Sequence, residues 1–182
     1  MTVDDVIQLL RERGDSQYGG EPVSQLEHAL QCAALAEQNG AASSLVAAAL
    51  LHDIGHLVHH LPDDAPDAGI DDVHEDGGRE FLGQIFPDEV TEPVALHVAA
   101  KRYLCGVDPE YCSQLSAASQ CSLALQGGSM SPTEIRAFES RRYSKDAVQL
   151  RRWDDMAKVP QLNVPSLDHY SALLKSLAGR QG

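Results

Sequence analysis

An imidazole and a carboxylate stand side by side, as His52-Asp53, at the end of the apolar run Ala49-Leu50-Leu51. Burying both groups at the end of a hydrophobic helix is unfavourable unless each finds a partner. A metal ion is the simplest partner that they can share. Imidazole and carboxylate together suit iron, manganese or zinc, and the sequence does not choose among these three metals. The pair therefore predicts a metal site.

Further candidate ligands are spread along the chain: His28, His74, His97 and Asp154. Four histidines and two carboxylates exceed what one catalytic ion usually takes from a protein, so their number predicts two ions. Adjacent residues on a helix point about 100° apart. His52 and Asp53 can still serve one centre if the Asp53 carboxylate bridges the two ions.

The helices that would carry these ligands have recognisable boundaries. Ser24 and Glu27 form a capping-box pattern that opens a helix to about Asn39. Thr2-Val3-Asp4-Asp5 is typical of a capped start and predicts a first helix to about Arg13. Further helices are predicted over Ala42–Ile54, Val73–Ile85, Asp88–Ala100, Pro109–Leu125, Ser144–Met156 and Ser166–Leu177, with one more beginning at Ser131-Pro132. The aspartate-rich stretch His59–Asp72 predicts a loop. With no alternating strand pattern, the chain is predicted to be all-α, with one domain over residues 1–182.

Charge and composition narrow the class of protein. The net charge of -13 argues against a nucleic-acid partner, because phosphate backbones attract basic surfaces. It leaves room for a small anionic substrate, since a few local cations can dominate a closed site. The four cysteines form no CxxC pair and are expected to be reduced thiols. Without a signal peptide or an apolar run that could cross a membrane, the protein is expected to be cytoplasmic.

The ligand order His, His-Asp, His, His, Asp on a helical chain resembles the HD-domain superfamily, in a form with two extra histidines. Other motifs resemble one branch of it, the mixed-valent di-iron oxygenases of phosphonate catabolism, called the PhnZ type. The motifs are Tyr18-Gly19-Gly20-Glu21, Gln25-Leu26-Glu27-His28, the segment around His52-Asp53, His74-Glu75, His97 to Leu104, Leu115 to Ser119, Gln126 to Met130 and Arg151-Arg152-Trp153-Asp154. They extend over nearly the whole chain.

This resemblance implies an all-α HD-domain bundle with a dinuclear iron site. One iron would be held by His28, His52, Asp53 and Asp154, and the other by Asp53, His74 and His97. A 1-hydroxyphosphonate would chelate iron through its hydroxyl and one phosphonate oxygen. Dioxygen would then be used to break the carbon–phosphorus bond, giving a carboxylic acid and phosphate. The partners would be this substrate and dioxygen, and the protein would be a monomer or a weak dimer.

The resemblance also implies substrate-binding residues. Lys101 lies four residues after His97, and Arg151 lies three before Asp154, so each shares a helix face with a candidate ligand. Charge-assisted hydrogen bonds from these two cations suit a phosphonate. Ser119, His56 and Gln25 would complete the substrate site. Tyr18 and Glu21 would lie on a glycine-rich lid, with the tyrosine occupying an iron position until substrate arrives and the glutamate recognising the substrate's amine. Tyr18, Glu21 and Lys101 are the predicted catalytic residues.

The choice of substrate and reaction stays open at this point. The primary amine (R)-2-amino-1-hydroxyethylphosphonate, which would yield glycine, is favoured because aromatic residues are scarce at 5%. A trimethylammonium analogue would yield glycine betaine, and such cations are commonly held by aromatic faces. Hydroxymethylphosphonate is a further alternative. An HD-type phosphohydrolase would use the same ligands to activate water. A non-catalytic sensor is disfavoured by the complete set of six ligands.

Overall fold

The computed structural model describes residues 1–58 and 73–179, and in these residues it contains eleven α-helices and no β-strand. The helices are α1 (Val3–Arg13), α2 (Gln25–Gln38), α3 (Ser43–Leu51), α4 (Ile54–Val58), α5 (His74–Leu82), α6 (Asp88–Val107), α7 (Pro109–Gln114), α8 (Ala117–Leu125), α9 (Pro132–Glu139), α10 (Ser144–Met156) and α11 (Leu167–Leu177). The all-α prediction is therefore confirmed. The predicted loop over His59–Asp72 lies outside the described residues.

Local hydrogen bonds explain where several helices begin. Capping boxes open α1 at Thr2, α2 at Ser24 and α9 at Ser131. In each box, the hydroxyl accepts from the backbone N–H three residues on, and the acidic side chain there accepts from the N–H of the cap residue. All three starts were predicted from the sequence.

Several predicted boundaries differ from the structure. The helix predicted over Val73–Ile85 ends at Leu82. The predicted helix over Ala42–Ile54 is divided, because α3 ends at Leu51 and His52-Asp53 form a turn before α4. The helix with His97 continues beyond Ala100 to Val107. The predicted helix over Pro109–Leu125 is also divided, because the Ser116 hydroxyl accepts from the N–H of Ser119 and so caps a new helix.

The helices of the core approach one another closely because their contact surfaces carry small side chains. Helix α6 packs against α3, α5 and α10, and α2 packs against α3 and α10. Fully buried alanines lie along these contacts: Ala33, Ala47, Ala48, Ala100 and Ala147. Because small side chains let neighbouring helices approach one another, the imidazole and carboxylate side chains of those helices come within reach of one another. The packing thereby positions the candidate ligands.

The structure bears on two further predictions. All four cysteines are free, as expected of reduced thiols. In the part of the chain that the structure describes, none of the helices is both long and apolar enough to span a bilayer. The cytoplasmic location and the single domain over 1–182 stay predictions.

A core substitution far from the candidate ligands tests this packing. Leu174 on α11 is fully buried in the main hydrophobic core. Replacing it (Leu174→Ala) should lower the free energy of unfolding by about 2–5 kcal/mol, because it removes buried methyl groups and leaves a cavity. Urea unfolding followed by circular dichroism measures this loss. Leu162→Ala makes the same chemical change at a 48% exposed position and should cost far less. Equal losses in the two variants would contradict the assigned core.

Candidate metal centre and anion site

The six predicted ligands converge in one buried cluster. His28 comes from α2, His52 and Asp53 from the turn after α3, His74 from the start of α5, His97 from α6 and Asp154 from α10. None of these residues is more than 8% exposed. Residues that are up to 126 positions apart in the chain are thus brought together by five elements of the bundle.

The Asp53 carboxylate lies between two groups of histidines. Its Oδ2 is 3.2 Å from His52 Nε2 and 3.7 Å from His28 Nε2. Its Oδ1 is 3.3 Å from the Nε2 atoms of both His74 and His97. One oxygen therefore faces each histidine pair, which is the geometry that a bridging carboxylate requires.

Asp154 lies beside the first histidine pair only. Its Oδ1 is 3.5 Å from His28 Nε2, and its Oδ2 is 3.9 Å from His52 Nε2. Arg151, one helical turn earlier, places Nη1 2.7 Å from Asp154 Oδ2. Among the described residues, Asp53 and Asp154 therefore approach the Nε2 atoms of His28 and His52, and Asp53 approaches those of His74 and His97. A further carboxylate, Glu75, lies behind His74, with Oε2 3.7 Å from its Nδ1.

The imidazole orientations fit metal ions between the paired rings. The Nδ1 atoms of His28, His52 and His97 donate to the carbonyl oxygens of Ala157, Ala49 and Val94, at 2.9, 3.0 and 2.7 Å. A neutral imidazole that donates through Nδ1 has a lone pair on Nε2. When both rings are neutral, His28 Nε2 and His52 Nε2 face each other as two acceptors only 3.2 Å apart. A shared cation removes this repulsion, so the donor set fits a metal ion.

In the second pair, His74 Nε2 lies 3.1 Å from His97 Nε2, and His74 Nδ1 lies 3.7 Å from Glu75 Oε2. The two pairs, joined by Asp53, point to a dinuclear metal site. Backbone carbonyls that fix the ring orientation are common behind histidine ligands.

The protonation states are suitable for binding cations. Burial lowers the pKa of His28 to about 4 and also lowers the pKa of His97, so both rings are neutral near pH 7. Burial opposes the ionisation of Asp53, but the positive charge that the neighbouring His52 can carry outweighs burial and holds the pKa of Asp53 well below the usual value. Burial lowers the pKa of His52, but Asp53 outweighs it and leaves that pKa raised, so a metal ion at this ring takes the place of a proton. Arg151 outweighs burial in the same way and lowers the pKa of Asp154. Neutral imidazoles and ionised carboxylates are the forms that bind metals.

Two close approaches fix the position of His74. Gly55 on α4 packs against the backbone of His74, where a Cβ atom on Gly55 would lie 1.9 Å from the His74 carbonyl oxygen. The His56 ring stacks on the His74 ring with 3.9 Å between centroids. His56, predicted to bind substrate, therefore lies directly beside a candidate ligand.

The sequence analysis missed a thiol at the cluster. Cys32 Sγ lies 3.7 Å from His28 Nε2, one helical turn further along α2. Burial raises the pKa of this thiol well above its usual value, so it stays protonated near pH 7. The ligand atoms of His28, Cys32 and His52 all lie within 4.8 Å of one another, so Cys32 borders the first metal position.

Cationic and hydroxyl donors gather next to the cluster. Lys101 Nζ donates to Ser122 Oγ at 2.7 Å, and Ser122 Oγ donates to the Ser119 carbonyl at 3.2 Å. Arg151 Nη2 lies 3.4 Å from Ser119 Oγ. Lys101, Ser119 and Arg151 are all less than 8% exposed. The three predicted anion-binding residues thus meet where α6, α8 and α10 come together.

Arg151 also contacts residues that the sequence did not indicate. It forms an ion pair with Asp155, one helical turn later, and its Nε is 3.3 Å from the Tyr111 hydroxyl. Tyr111 donates to Asp155 Oδ2 at 2.6 Å. Asp154, Asp155 and Tyr111 together hold the guanidinium group in a fixed orientation.

The glycine-rich loop covers the first histidine pair. The Tyr18 ring stacks on the His28 ring at 3.8 Å, and its hydroxyl lies 3.3 Å from Asp154 Oδ1. Gly19 and Gly20 have φ angles of 43° and 78°, a conformation that favours glycine. The tight turn that they form places Tyr18 against the cluster and Glu21 to one side of it.

Glu21 has contacts that the sequence did not reveal. Its Oε1 accepts from Ser116 Oγ at 2.6 Å and from Lys158 Nζ at 2.9 Å. Lys158 lies 137 positions away in the chain, just after α10, and no spacing rule relates the two residues. Gln25, the last predicted substrate residue, is 8% exposed and lies one helical turn before His28.

The comparisons with known proteins agree with this geometry. The model of the HD domain matches residues 26–124, more than half of the chain. The chain is 46% identical over 175 residues to a hydroxymethylphosphonate dioxygenase of Gimesia maris, covering 96% of this chain and 87% of that protein. It is 42% identical over 172 residues to the [1-hydroxy-2-(trimethylamino)ethyl]phosphonate dioxygenase (glycine-betaine-forming) of Leisingera caerulea, covering 94% and 88%.

The chain belongs to the HD-domain family of phosphonate dioxygenases. It is also 36% identical over 174 residues to an uncharacterised protein of Acanthamoeba polyphaga mimivirus, covering 94% of this chain and 80% of that protein. The HD-domain match includes five of the six candidate ligands and ends before Asp154. The predicted family and the predicted enzyme class are confirmed.

The approach of Gly55 to His74 gives a test of this phosphonate-dioxygenase site. Gly55→Ala should lower both the melting temperature and the metal content, because the new Cβ must displace α5 and with it the His74 ring. Thermal unfolding and metal analysis by mass spectrometry measure the two effects. Gly77→Ala is the matched control. Gly77 lies on α5, the helix of His74, and a Cβ atom at this position meets open space. Unchanged metal content in Gly55→Ala would contradict the assigned role of His74.

Proposed function

We propose that the protein is a di-iron oxygenase that uses dioxygen to cleave the carbon–phosphorus bond of a 1-hydroxyphosphonate. In this reaction, C1 becomes a carboxylate carbon, phosphorus leaves as phosphate, and four electrons pass from C1 to dioxygen. The observation that carries the proposal is the adjacency of two histidine pairs, joined by Asp53, to the buried donors Lys101, Ser119 and Arg151.

The proposed ligand set follows from the two sides of Asp53. His28, His52, Asp53 and Asp154 would hold one iron, and Asp53, His74 and His97 the other. A mixed-valent iron pair would supply the one-electron chemistry needed to activate dioxygen. The second set has fewer protein ligands, so it leaves more positions for other molecules. In the first set, Arg151 keeps Asp154 ionised and oriented.

The phosphonate end of the substrate would be held by buried cations. Lys101 and Arg151 would supply charge-assisted hydrogen bonds, and the Ser119 hydroxyl would supply a neutral one. His56 and Gln25 are proposed as further contacts on either side of the cluster. Because these residues lie on helices, their donors are already oriented before substrate arrives.

The Tyr18 loop would cover the reacting atoms. Tyr18 lies over His28 and next to Asp154, so it shields the first metal position. A loop closed over bound substrate would exclude bulk water from C1. The lid function and the catalytic roles of Tyr18 and Glu21 are part of the proposal.

A phosphohydrolase of the general HD type is the alternative. Both named relatives are dioxygenases that act on phosphonates, and they match nearly the whole chain. That agreement favours the oxygenase. The two activities differ in whether dioxygen is consumed when phosphate is released.

The proposal is tested by the stoichiometry of the reaction. Protein loaded anaerobically with iron should release one phosphate for each dioxygen consumed when a 1-hydroxyphosphonate is added. An oxygen electrode and a phosphate assay measure the two quantities. Electron paramagnetic resonance should show a coupled ferrous–ferric pair. Phosphate release from a phosphate monoester without oxygen uptake would support the hydrolase instead.

The His97→Ala variant tests the second metal position. It should keep the circular dichroism spectrum of the wild type but bind about one iron per chain instead of two, with oxygen uptake abolished. His169→Ala is a suitable control because His169 lies on α11, half-exposed and paired with Glu37. If His97→Ala kept both irons and full turnover, the proposed ligand set would be wrong.

The rate should depend on pH through Lys101. Burial, helped by the neighbouring Arg151, lowers the pKa of Lys101 to about 8. The Lys101 side chain therefore carries its positive charge below about pH 8 and loses that charge above it. Because the charge binds the phosphonate, kcat/KM should fall as the pH rises through about 8. Lys101→Arg, which stays charged, should move this decline to higher pH. If kcat/KM declined at the same pH in Lys101→Arg, the decline would arise from the titration of another group.

A further inference from the structure

A lysine–glutamate pair lies at the edge of the proposed substrate site. Lys158 Nζ is 2.9 Å from Glu21 Oε1, and each side chain is only 13% exposed. The Ser116 hydroxyl donates to the same oxygen at 2.6 Å. The carboxylate that the sequence analysis assigned to the substrate's amine thus already has a cation and a hydroxyl as partners.

Lys158 also contacts the proposed phosphonate donors. Its Nζ lies 3.2 Å from Ser119 Oγ and 3.4 Å from Ser116 Oγ, and 5.9 Å from the centre of the Tyr18 ring. The ammonium group therefore stands between Ser119 and Glu21. A group attached to C1 of the substrate that extends from the phosphonate site toward Glu21 would meet the Lys158 charge first.

Two charge effects follow from this arrangement. The negative charge of Glu21 is compensated within the protein, so it offers little attraction to an additional cation. An ammonium group on the substrate would lie close to the Lys158 ammonium, and like charges at short distance in a partly buried site repel strongly. An uncharged substituent meets neither obstacle.

We propose that Lys158 is a specificity-determining residue that neutralises Glu21 and so selects 1-hydroxyphosphonates without a cationic group beyond C1. Hydroxymethylphosphonate, which carries only hydrogen in that position, is the simplest such substrate. This inference rests on the proposed oxygenase function. With one dioxygen, hydroxymethylphosphonate gives formate, phosphate and one proton, so the C1 hydroxyl carbon is oxidised and no further reactant is needed.

The first arm of the test compares two substrates with the iron-loaded wild type. Phosphate release and oxygen uptake are measured with hydroxymethylphosphonate and with (R)-2-amino-1-hydroxyethylphosphonate. We expect kcat/KM to be at least tenfold higher for hydroxymethylphosphonate. Calorimetric titration without oxygen should show the same order of affinities, which gives a measure that does not depend on turnover.

The second arm changes the pair itself. Lys158→Met keeps the length of the side chain and removes its charge, which leaves Glu21 free to attract a cation. The ratio of kcat/KM values should then shift toward the ammonium substrate by about tenfold or more. Lys158→Arg keeps the charge and should keep the wild-type ratio. Glu21→Gln combined with Lys158→Met, a pair without charge, should remove the gain for the ammonium substrate.

Three results would overturn the inference. One is a wild-type preference for the ammonium substrate. Another is a Lys158→Met variant, folded by circular dichroism, that loses activity equally on both substrates, which would place Lys158 among the phosphonate donors. The third is the absence of oxygen-dependent phosphate release with either substrate, which would overturn the proposed function and this inference together. Because the first two leave oxygen-dependent phosphate release intact, they are distinct from the third.

Discussion

The rest of the structure depends on one constraint at the centre of the bundle, where imidazole nitrogen atoms face one another at hydrogen-bond distance. Three backbone carbonyls hold the Nδ1–H groups of His28, His52 and His97, so their Nε2 lone pairs point inward at one another and at Asp53. A buried arrangement of acceptors is unfavourable by itself. Cations between the rings turn the same arrangement into a favourable one. The metal site therefore depends directly on the packing of α2, α3, α6 and α10. Helices α2 and α6 supply rings, α3 and α6 supply carbonyls that orient rings, and α10 supplies Asp154 and is followed by Ala157.

Arg151 connects this centre to the substrate side. The guanidinium group contacts Asp154, which faces the first histidine pair, and also Asp155 and the Ser119 hydroxyl. Two carboxylates compensate its charge, which makes a buried arginine tolerable. An anion bound at Ser119 would share Arg151 with Asp154. The electrostatics of the metal centre and of anion binding are consequently coupled through a single side chain on α10.

The sequence predicted most of the metal centre, but it did not predict the pairing of Glu21 with Lys158. His52-Asp53 was recognisable as a polar pair at the end of an apolar run. Helix periodicity predicted that Lys101 lies on the same helix face as His97, and Arg151 on the same face as Asp154. Boundaries were harder, because Ser116 caps a new helix without any glycine or proline nearby. The contact of Lys158 with Glu21 was not predictable, since it joins two loops whose meeting depends on the whole packing. Cys32 stands four residues after His28, the same spacing as Lys101 after His97, but its proximity to His28 was not predicted because the four cysteines were interpreted only as reduced thiols.

The metal ligands and the Glu21–Lys158 pair differ in how tightly their surroundings constrain them, and this bears on how substrate choice varies within the family. The ligands and phosphonate donors lie on packed helices, where one displaced ring would disturb several neighbours. Glu21 and Lys158 lie on loops at the edge, where a change of charge alters few packing contacts. The chain is 46% and 42% identical to relatives named for substrates with very different groups at C1, hydrogen in one and a trimethylammonium-bearing carbon in the other. Overall identity therefore does not assign the substrate. The discriminating interactions must lie where the substituent at C1 ends, and the Glu21–Lys158 pair is the charged contact that the structure places beside the donors at Ser119.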